Sequence, residues 1–295
     1  MAAVKSYVVE SLPEYVEQRR EELIAKSVMG AKTLDFINLQ TGVKGPTAIN
    51  LIDFDVELQA DACGWNELGA ATLTQRIIDA KPLRVNMAIC DKNLYGTWAQ
   101  YQVKVAAGKV ASDLPFEQDF VNGVLNGIQE RVEELIWQGD ANNAGEFDGF
   151  LTILGSPTSA AGTSKMNLIS EAYAALPCAV AGKSDVVVFV SCATFRAWMQ
   201  ELVADNLYHY NPGNEGAMEY MLPGTNVRVI AVPGMADDAA VAGRLSNFFY
   251  GTDLESDMET FDLWYSKDNR EFRFDVSFIA GVQIAFPSEV AYYTL

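Results

Sequence analysis

The hydrophobic pattern of the chain changes period from one stretch to the next. Ile52, Phe54, Val56 and Leu58 alternate with Asp53, Asp55, Glu57 and Gln59, and Leu83, Val85, Met87 and Ile89 alternate with Arg84, Asn86 and Ala88. A period of two places one apolar face on each strand. The intervening Cys63-Gly64-Trp65-Asn66-Glu67-Leu68-Gly69 is too long for a tight turn. Residues 45–92 are therefore expected to form an extended two-stranded ribbon with that link at its tip. An isolated ribbon is marginal in water, and ordering about 45 residues costs on the order of tens of kcal/mol of backbone entropy. A neighbouring subunit is the natural source of the missing stabilisation.

The period then becomes helical. Phe116, Phe120, Val124, Ile128, Val132, Leu135 and Ile136 make one stripe, with Val121 and Leu125 at its edge. Asp113 and Pro115 suit the start and Gly139 the stop. The spacing predicts a helix over 115–138, roughly 36 Å long. A shorter helix is expected over 13–29, where Val16, Leu23, Ile24 and Val28 share a face and the remainder is charged. Trp137-Gln138-Gly139-Asp140 and then Phe147-Asp148-Gly149-Phe150 tie the end of the long helix back to the next domain.

Residues 165–235 alternate helix and strand: Ile169 to Leu176, strand Val186 to Val190, helix Thr194 to Leu207 with Phe195, Trp198, Met199 and Leu202 inward, and strand Val227 to Val232. This is a mixed α/β unit. Beyond 245 the chain is nearly all strand: Asn247 to Tyr250, Phe261 to Tyr265 and Phe272 to Phe278, then a bulge or bend at Gly281 before Val282 to Phe286.

Composition narrows the function more than the fold. With 21 basic and 39 acidic residues the net charge is −18, and the one basic cluster, Arg19-Arg20, sits among five glutamates. That is a solvated, salt-bridged helix face and a poor grip on phosphates. No apolar run is long enough for a membrane helix, and the N-terminus lacks the apolar core of a signal peptide. Cys63, Cys90, Cys178 and Cys192 form no C-x-x-C pair; they read as reduced, partly buried thiols of a cytoplasmic protein, the alternative being a Cys63–Cys90 disulfide.

Signals for catalysis are weak. The single histidine, His209, lies in the aromatic loop Tyr208-His209-Tyr210 and fits packing or a surface better than a general base. A zinc site is not expected, and the G-x-S-x-G elbow is missing. Gly182-Lys183-Ser184 precedes a strand, so it reads as a turn and not as a phosphate loop. Asp253, Glu255, Asp257 and Glu259 read as a solvated acidic loop before a calcium site, and Asp237-Asp238 as a turn. No cofactor or metal is expected.

The order of these elements (arm, ribbon, long helix, α/β unit, long C-terminal strands) resembles the Hong Kong 97-type fold of tailed-phage major capsid proteins. The resemblance runs through Cys63-Gly64 with Thr74-x-Arg76, Leu114-Pro115-Phe116-Glu117, Ile136-Trp137-Gln138-Gly139-Asp140 with Phe147-Asp148-Gly149-Phe150, Phe249-Tyr250-Gly251-Thr252-Asp253-Leu254 and Ala280-Gly281-Val282-Gln283-Ile284-Ala285. It implies an α+β fold with an N-terminal arm at 1–44, an E-loop at 45–92, and a peripheral domain at 93–164 that carries the spine helix. An axial domain at 165–240 would come next, then peripheral strands at 241–295 whose last strand returns to the axial domain.

It implies equally that copies form pentamers and hexamers of an icosahedral head, built in the host cytoplasm around double-stranded DNA that is not bound by sequence. A portal would be another partner, and, with no room for a scaffolding segment before the arm, either a separate scaffolding protein is expected or the sequence is that of the mature subunit. The implied assembly contacts are Arg19, Arg20, Phe54, Val56, Cys63, Trp65, Arg76, Arg84, Tyr208 and His209. Lys81 and Asn66 are conceivable cross-linking partners. The competing readings are an encapsulin-like nanocompartment shell, a cytoplasmic α/β enzyme, and a phage tail or decoration protein.

Overall fold

The computed structural model describes residues 23, 29–55, 57–58, 70–90, 116–207, 218–253 and 261–295; the helix expected over 13–29 lies outside these except at Leu23 and Met29, both helical. The strands are β1 (Asn38–Thr41), β2 (Thr47–Asp55), β3 (Ala70–Ile78), β4 (Lys81–Cys90), β5 (Thr158–Ser159), β6 (Val186–Ser191), β7 (Glu219–Met221), β8 (Arg228–Val232), β9 (Ala239–Arg244), β10 (Phe248–Thr252), β11 (Phe261–Ser266), β12 (Glu271–Ile284) and β13 (Ala291–Thr294). The helices are α1 (Phe116–Gln138), α2 (Phe150–Leu154), α3 (Lys165–Ala174), α4 (Cys178–Ala181) and α5 (Cys192–Ala204).

Three sheets result. β1, β10, β12 and β11 lie in that order, with β4 also paired to β12; β5, β13, β9, β6, β8 and β7 form a six-stranded sheet; β2 and β3 pair alone. The period-two pattern of β12 explains the first sheet. Phe272, Phe274, Val276, Phe278, Ala280, Val282 and Ile284 all enter the core beside α1, while Arg273, Asp275 and Ser277 face outward. The pairing with β10 passes through Gly281 one to one, from Thr252↔Ala280 to Phe248↔Ile284, so there is no bulge there. Gly281 instead allows close passage: a Cβ would lie 2.7 Å from Ala80 Cα.

In the six-stranded sheet β6 is buried on both faces, which is why it reads as an unbroken apolar run. Val186, Val188 and Val190 meet α3 and α5, whereas Val187 and Phe189 enter the larger core with α1 and the first sheet. The N-terminus of α3 is capped from another helix. The Glu201 carboxylate of α5 accepts bonds from Lys165 N at 3.0 Å, Met166 N at 2.9 Å and Ser164 Oγ at 2.7 Å. Burial opposes its charge, but these donors prevail and hold it below the usual carboxylate range.

The tie expected around 137–150 is a backbone crossing. Gly139 N donates to Leu135 O, and Gly149 N donates to Gly139 O at 2.9 Å. A Cβ on Gly149 would sit 2.6 Å from Trp137 O, and one on Gly139 would sit 2.2 Å from Phe147 O. Above the crossing Trp137, Phe150, Phe189 and Phe248 stack edge-on or tilted, with centroids 5.1–5.7 Å apart, so α1, α2, β6 and β10 meet at one aromatic cluster.

Three expectations are corrected. The partner of the strand at 52–58 is β3, from Thr47↔Ile78 to Asp55↔Ala70, whereas the strand at 83–89 belongs to the long sheet, from Glu271↔Cys90 to Ala280↔Lys81. Alternation reveals a strand but not its partner, and β3 with Thr72, Thr74 and Gln75 has no apolar period to declare it. The stripe on α1 is rotated, with Val121 and Leu125 fully inside and Val124 only half-buried. Of the cysteines, Cys90 and Cys178 are exposed, and so less buried than expected, whereas Cys192 is half-buried; Cys63 lies outside the described residues.

The same substitution should have opposite signs at two glycines. Gly149→Ala forces a methyl into three backbone atoms and should destabilise the chain by about 3 kcal/mol or more. Gly123→Ala, in mid-helix with open space around it, should stabilise by about 0.5–1 kcal/mol. Denaturant midpoints of the two variants test both.

Candidate assembly surface

The β2–β3 ribbon has two unlike faces. On one, Ile49, Leu51 and Ile78 close a small core with Val43, Ala80 and Ala285. The opposite face pairs Ala48 with Ile77, Asn50 with Gln75 and Ile52 with Leu73. Its apolar members remain in solvent: Ile52 is 52% exposed, Leu73 68% and Ile77 54%. Between them Gln75 Nε2 donates to Asn50 Oδ1 at 2.8 Å. The result is an uncharged, largely apolar ladder, which is unusual on a chain of charge −18.

The ribbon is fastened to the long sheet at its base. Gln283 of β12 donates through Nε2 to Ile77 O at 2.6 Å and accepts from Arg76 Nη2 at 3.2 Å. Ile78 packs on Gly251 of β10, where a Cβ would meet its side chain at 3.0 Å.

The outer face of the long sheet is the second open surface. Arg84 of β4 forks onto Asp275 of β12, Nε to Oδ1 at 2.8 Å and Nη2 to Oδ2. The hydrogen bonds from Arg84 hold the Asp275 carboxyl below its usual range. Arg273 pairs with Glu271 at 2.8 Å, and exposed Trp264 stands opposite Arg273 across β11 and β12. These residues border a shallow groove of about 420 Å³ whose charges are paired within the chain. A second groove, of about 600 Å³ and mostly apolar, runs between Val85 and Met87 of β4 and Gly123, Val124, Gly127 and Ile128 of α1.

Of the residues expected at assembly contacts, Arg76 and Arg84 are described, and the structure separates them: Arg76 braces the ribbon base and Arg84 the outer sheet. Phe54 lies on β2 opposite Ala71. Arg19, Arg20, Val56, Cys63, Trp65, Tyr208 and His209 lie outside the described residues. Leu73, Ile77 and Trp264 are exposed apolar side chains that the sequence does not single out, because it shows an apolar residue but not that its strand lacks a covering layer.

Elsewhere the chemistry is sparse. Among the described residues no three His, Cys, Asp or Glu side chains come together as metal ligands, and no helix is long and apolar enough to cross a membrane. Lys183 is the close of a turn, its N–H donating to Val180 O. Asp237 and Asp238 form the expected turn, with Ser191 Oγ donating to Asp237 and Lys165 beside Asp238. Asp253 departs from the expected solvated loop: it is 1% exposed, with Lys44 Nζ at 4.0 Å. Glu255, Asp257 and Glu259 lie outside the described residues.

Adjacent residues of β2 should respond differently to charge. Ile52→Asp should change folding stability by less than about 0.5 kcal/mol, and Leu51→Asp, which buries a carboxylate in the ribbon base, should cost several kcal/mol on an order-of-magnitude basis. Urea unfolding of the two variants checks this.

No protein-family model and no curated protein matches the sequence. Solved structures match nearly end to end. A chain of the satellite phage P4 procapsid including size determination (Sid) protein is 10% identical, with 92% of this chain and 89% of that one covered and a TM-score of 0.64. A chain of the capsid of the native GTA particle is 12% identical, over 92% and 90%, with a TM-score of 0.59. One of the virus-like particle from Pyrococcus furiosus is 10% identical, over 95% and 99%, with a TM-score of 0.50. At such identities the likeness is one of fold: the chain has the α+β fold of phage major capsid proteins, the Hong Kong 97-like fold that its sequence resembles.

Proposed function

We propose that the chain is a shell-forming capsid subunit without catalytic function, one that self-associates into pentamers and hexamers of an icosahedral phage head around double-stranded DNA. The observation that carries this reading is the ribbon, a two-stranded projection whose apolar ladder has no covering layer within the described chain. Such an element is marginal alone and becomes favourable when a second copy buries Ile52, Leu73 and Ile77, each worth about 1 kcal/mol or more. The acidic charge supports a wall that surrounds DNA without adhering to it.

In this reading residues 1–44 are the arm and the E-loop is the β2–β3 part of 45–92, with β4 contributing to the peripheral sheet. Residues 93–164 and 241–295 supply the peripheral domain and 165–240 the axial domain. The subunit resides in the virion, and a portal and a separate scaffolding protein complete the assembly. A nanocompartment shell is the second reading, favoured by the near-complete match to the Pyrococcus furiosus particle.

Negative-stain electron microscopy of the chain after heterologous expression tests the class. Closed shells, tubes or ordered capsomers are expected, with nuclease-protected DNA or a captured enzyme inside separating the two readings. The double variant Ile52→Asp/Leu73→Asp should keep the circular dichroism and unfolding midpoint of the parent yet form no shells. Normal shells from that variant would remove the ribbon from the assembly mechanism.

A further inference from the structure

Among the described residues seven polar side chains are buried: Thr33, Glu133, Ser191, Thr194, Asn247, Thr252 and Asp253. Five of them are satisfied. Thr33 N donates to Glu133 Oε2 at 3.0 Å and Thr33 Oγ1 to Glu133 Oε1 at 2.5 Å. Ser191 Oγ donates to Asp237 at 2.7 Å and accepts from Thr194 N at 3.1 Å, and Thr194 Oγ1 accepts from Asp238 N. Asn247 donates to Phe286 O and accepts from Phe286 N. The two that have no hydrogen-bond partner are neighbours in the chain: Thr252 Oγ1 and both carboxylate oxygens of Asp253.

They sit at the end of β10, against the turn between β1 and β2. Val43 N donates to Thr252 O at 3.2 Å, and the buried Val43 side chain packs on Gly251, 3.2 Å from where a Cβ would lie. A carboxylate buried without bonds is costly, and such groups are otherwise paired or bound to a metal. Lys44 does not complete the pairing. Its Nζ is 4.0 Å from Asp253 Oδ2, beyond hydrogen-bond reach, and its side chain is 73% exposed against 1% for the aspartate. A proton does not complete it either, since a neutral carboxyl keeps a carbonyl oxygen in need of a donor.

A cation satisfies both oxygens at once. The three unpartnered atoms are hard oxygen donors, which select calcium or magnesium over softer metals. Calcium suits the place better: it accepts a bidentate carboxylate and irregular geometry, whereas magnesium keeps several waters, and a residue 1% exposed leaves little room for them. The sequence continues through Glu255, Asp257 and Glu259, so the local field attracts cations. We propose that Asp253 is the principal ligand of a calcium ion, with Thr252 Oγ1 beside it, and that the ion fastens the end of β10 to the turn from which the ribbon starts. The long exposed side chain of Lys44 lets its amine withdraw. The site belongs to a single chain and stands whether or not that chain builds a shell. With one carboxylate and one hydroxyl it is weak, with a dissociation constant on the order of 0.1–1 mM.

The test uses the full chain, freed of metal with EDTA. Its unfolding midpoint is read in about 10 mM calcium chloride and in sodium chloride of equal ionic strength, and a rise of a few degrees specific to calcium is expected. Asp253→Asn should lose that rise, and its calcium-free midpoint should equal or exceed that of the wild type, because an amide is easier to bury than a carboxylate. Lys44→Met should keep the rise. The site is overturned by a wild type that responds to calcium no more than to sodium, or by a rise that persists in Asp253→Asn. A calcium-free Asp253→Asn that unfolds well below the wild type also overturns it, since Lys44 would then be the partner. Should that variant not fold, the carbon-13 resonance of the Asp253 carboxyl in the wild type decides. It must move with calcium along the same curve as the midpoint, and a resonance that stays in place refutes the proposal.

Discussion

The end of α1 and the segment entering α2 cross at backbone contact, and most of the molecule is placed by that crossing. Gly139 and Gly149 are tied by a hydrogen bond between their backbones, and the approach is too close for a Cβ on either. Thr152 adds a hydroxyl bond to Gly139 O at 2.6 Å. Fixing this point fixes the direction of α1 and sets Trp137 and Phe150 side by side. Those rings then meet Phe189 from one large sheet and Phe248 from the other. Aromatic pairs prefer such edge-on geometry and add to the burial energy of their area. Two sheets built from distant parts of the chain thus share one core because one helix terminus is held without freedom.

The same device recurs where other elements meet. Gly234, just after β8, lies on the backbone of Glu133 and Glu134, while Gln138 Nε2 donates to Gly234 O at 2.7 Å. Gly281 lets β12 pass the turn at Ala80. Each contact substitutes close backbone packing for side-chain interdigitation, which leaves little tolerance for rearrangement. The buried polar groups are handled with similar economy: Glu201 caps a helix that has no side-chain cap of its own, and Glu133 takes both donors of a single threonine.

Sequence reveals those features whose signal is local. The long helix, the alternation of β12, the doubly buried β6 and the glycine crossing at 137–150 were all legible, because each is encoded in a few neighbouring residues. What was lost depends on distant partners. β9, Ala239–Arg244, reads as a weak run of small residues, yet it is an interior strand; its smallness is a fit to crowding, since a Cβ on Gly243 would meet the Phe248 ring at 3.2 Å. Glu133 looks like part of a solvated acidic run, and only the arrival of Thr33 from a hundred residues away makes it a core residue. On the ribbon, Leu51 and Ile52 are equally apolar, and which one faces the body is decided by Ala285 and Val43, far off in the chain.

The ribbon differs from the body in how its surfaces are satisfied. β6 has cover on both faces, and β12 turns its apolar face inward and its ion pairs outward. β2 and β3 have cover only at the base, and the ladder of Ile52, Leu73 and Ile77 is left in water. A chain of charge −18 meets its copies against repulsion, which at physiological ionic strength is screened beyond about 8 Å. Attraction that succeeds there must act at contact and involve no further acidic groups. An uncharged ladder meets both conditions: it acts at contact, and its burial gain does not depend on pairing charges. In the proposed shell, the exposed face that makes the ribbon marginal in one copy would be what joins it to the next.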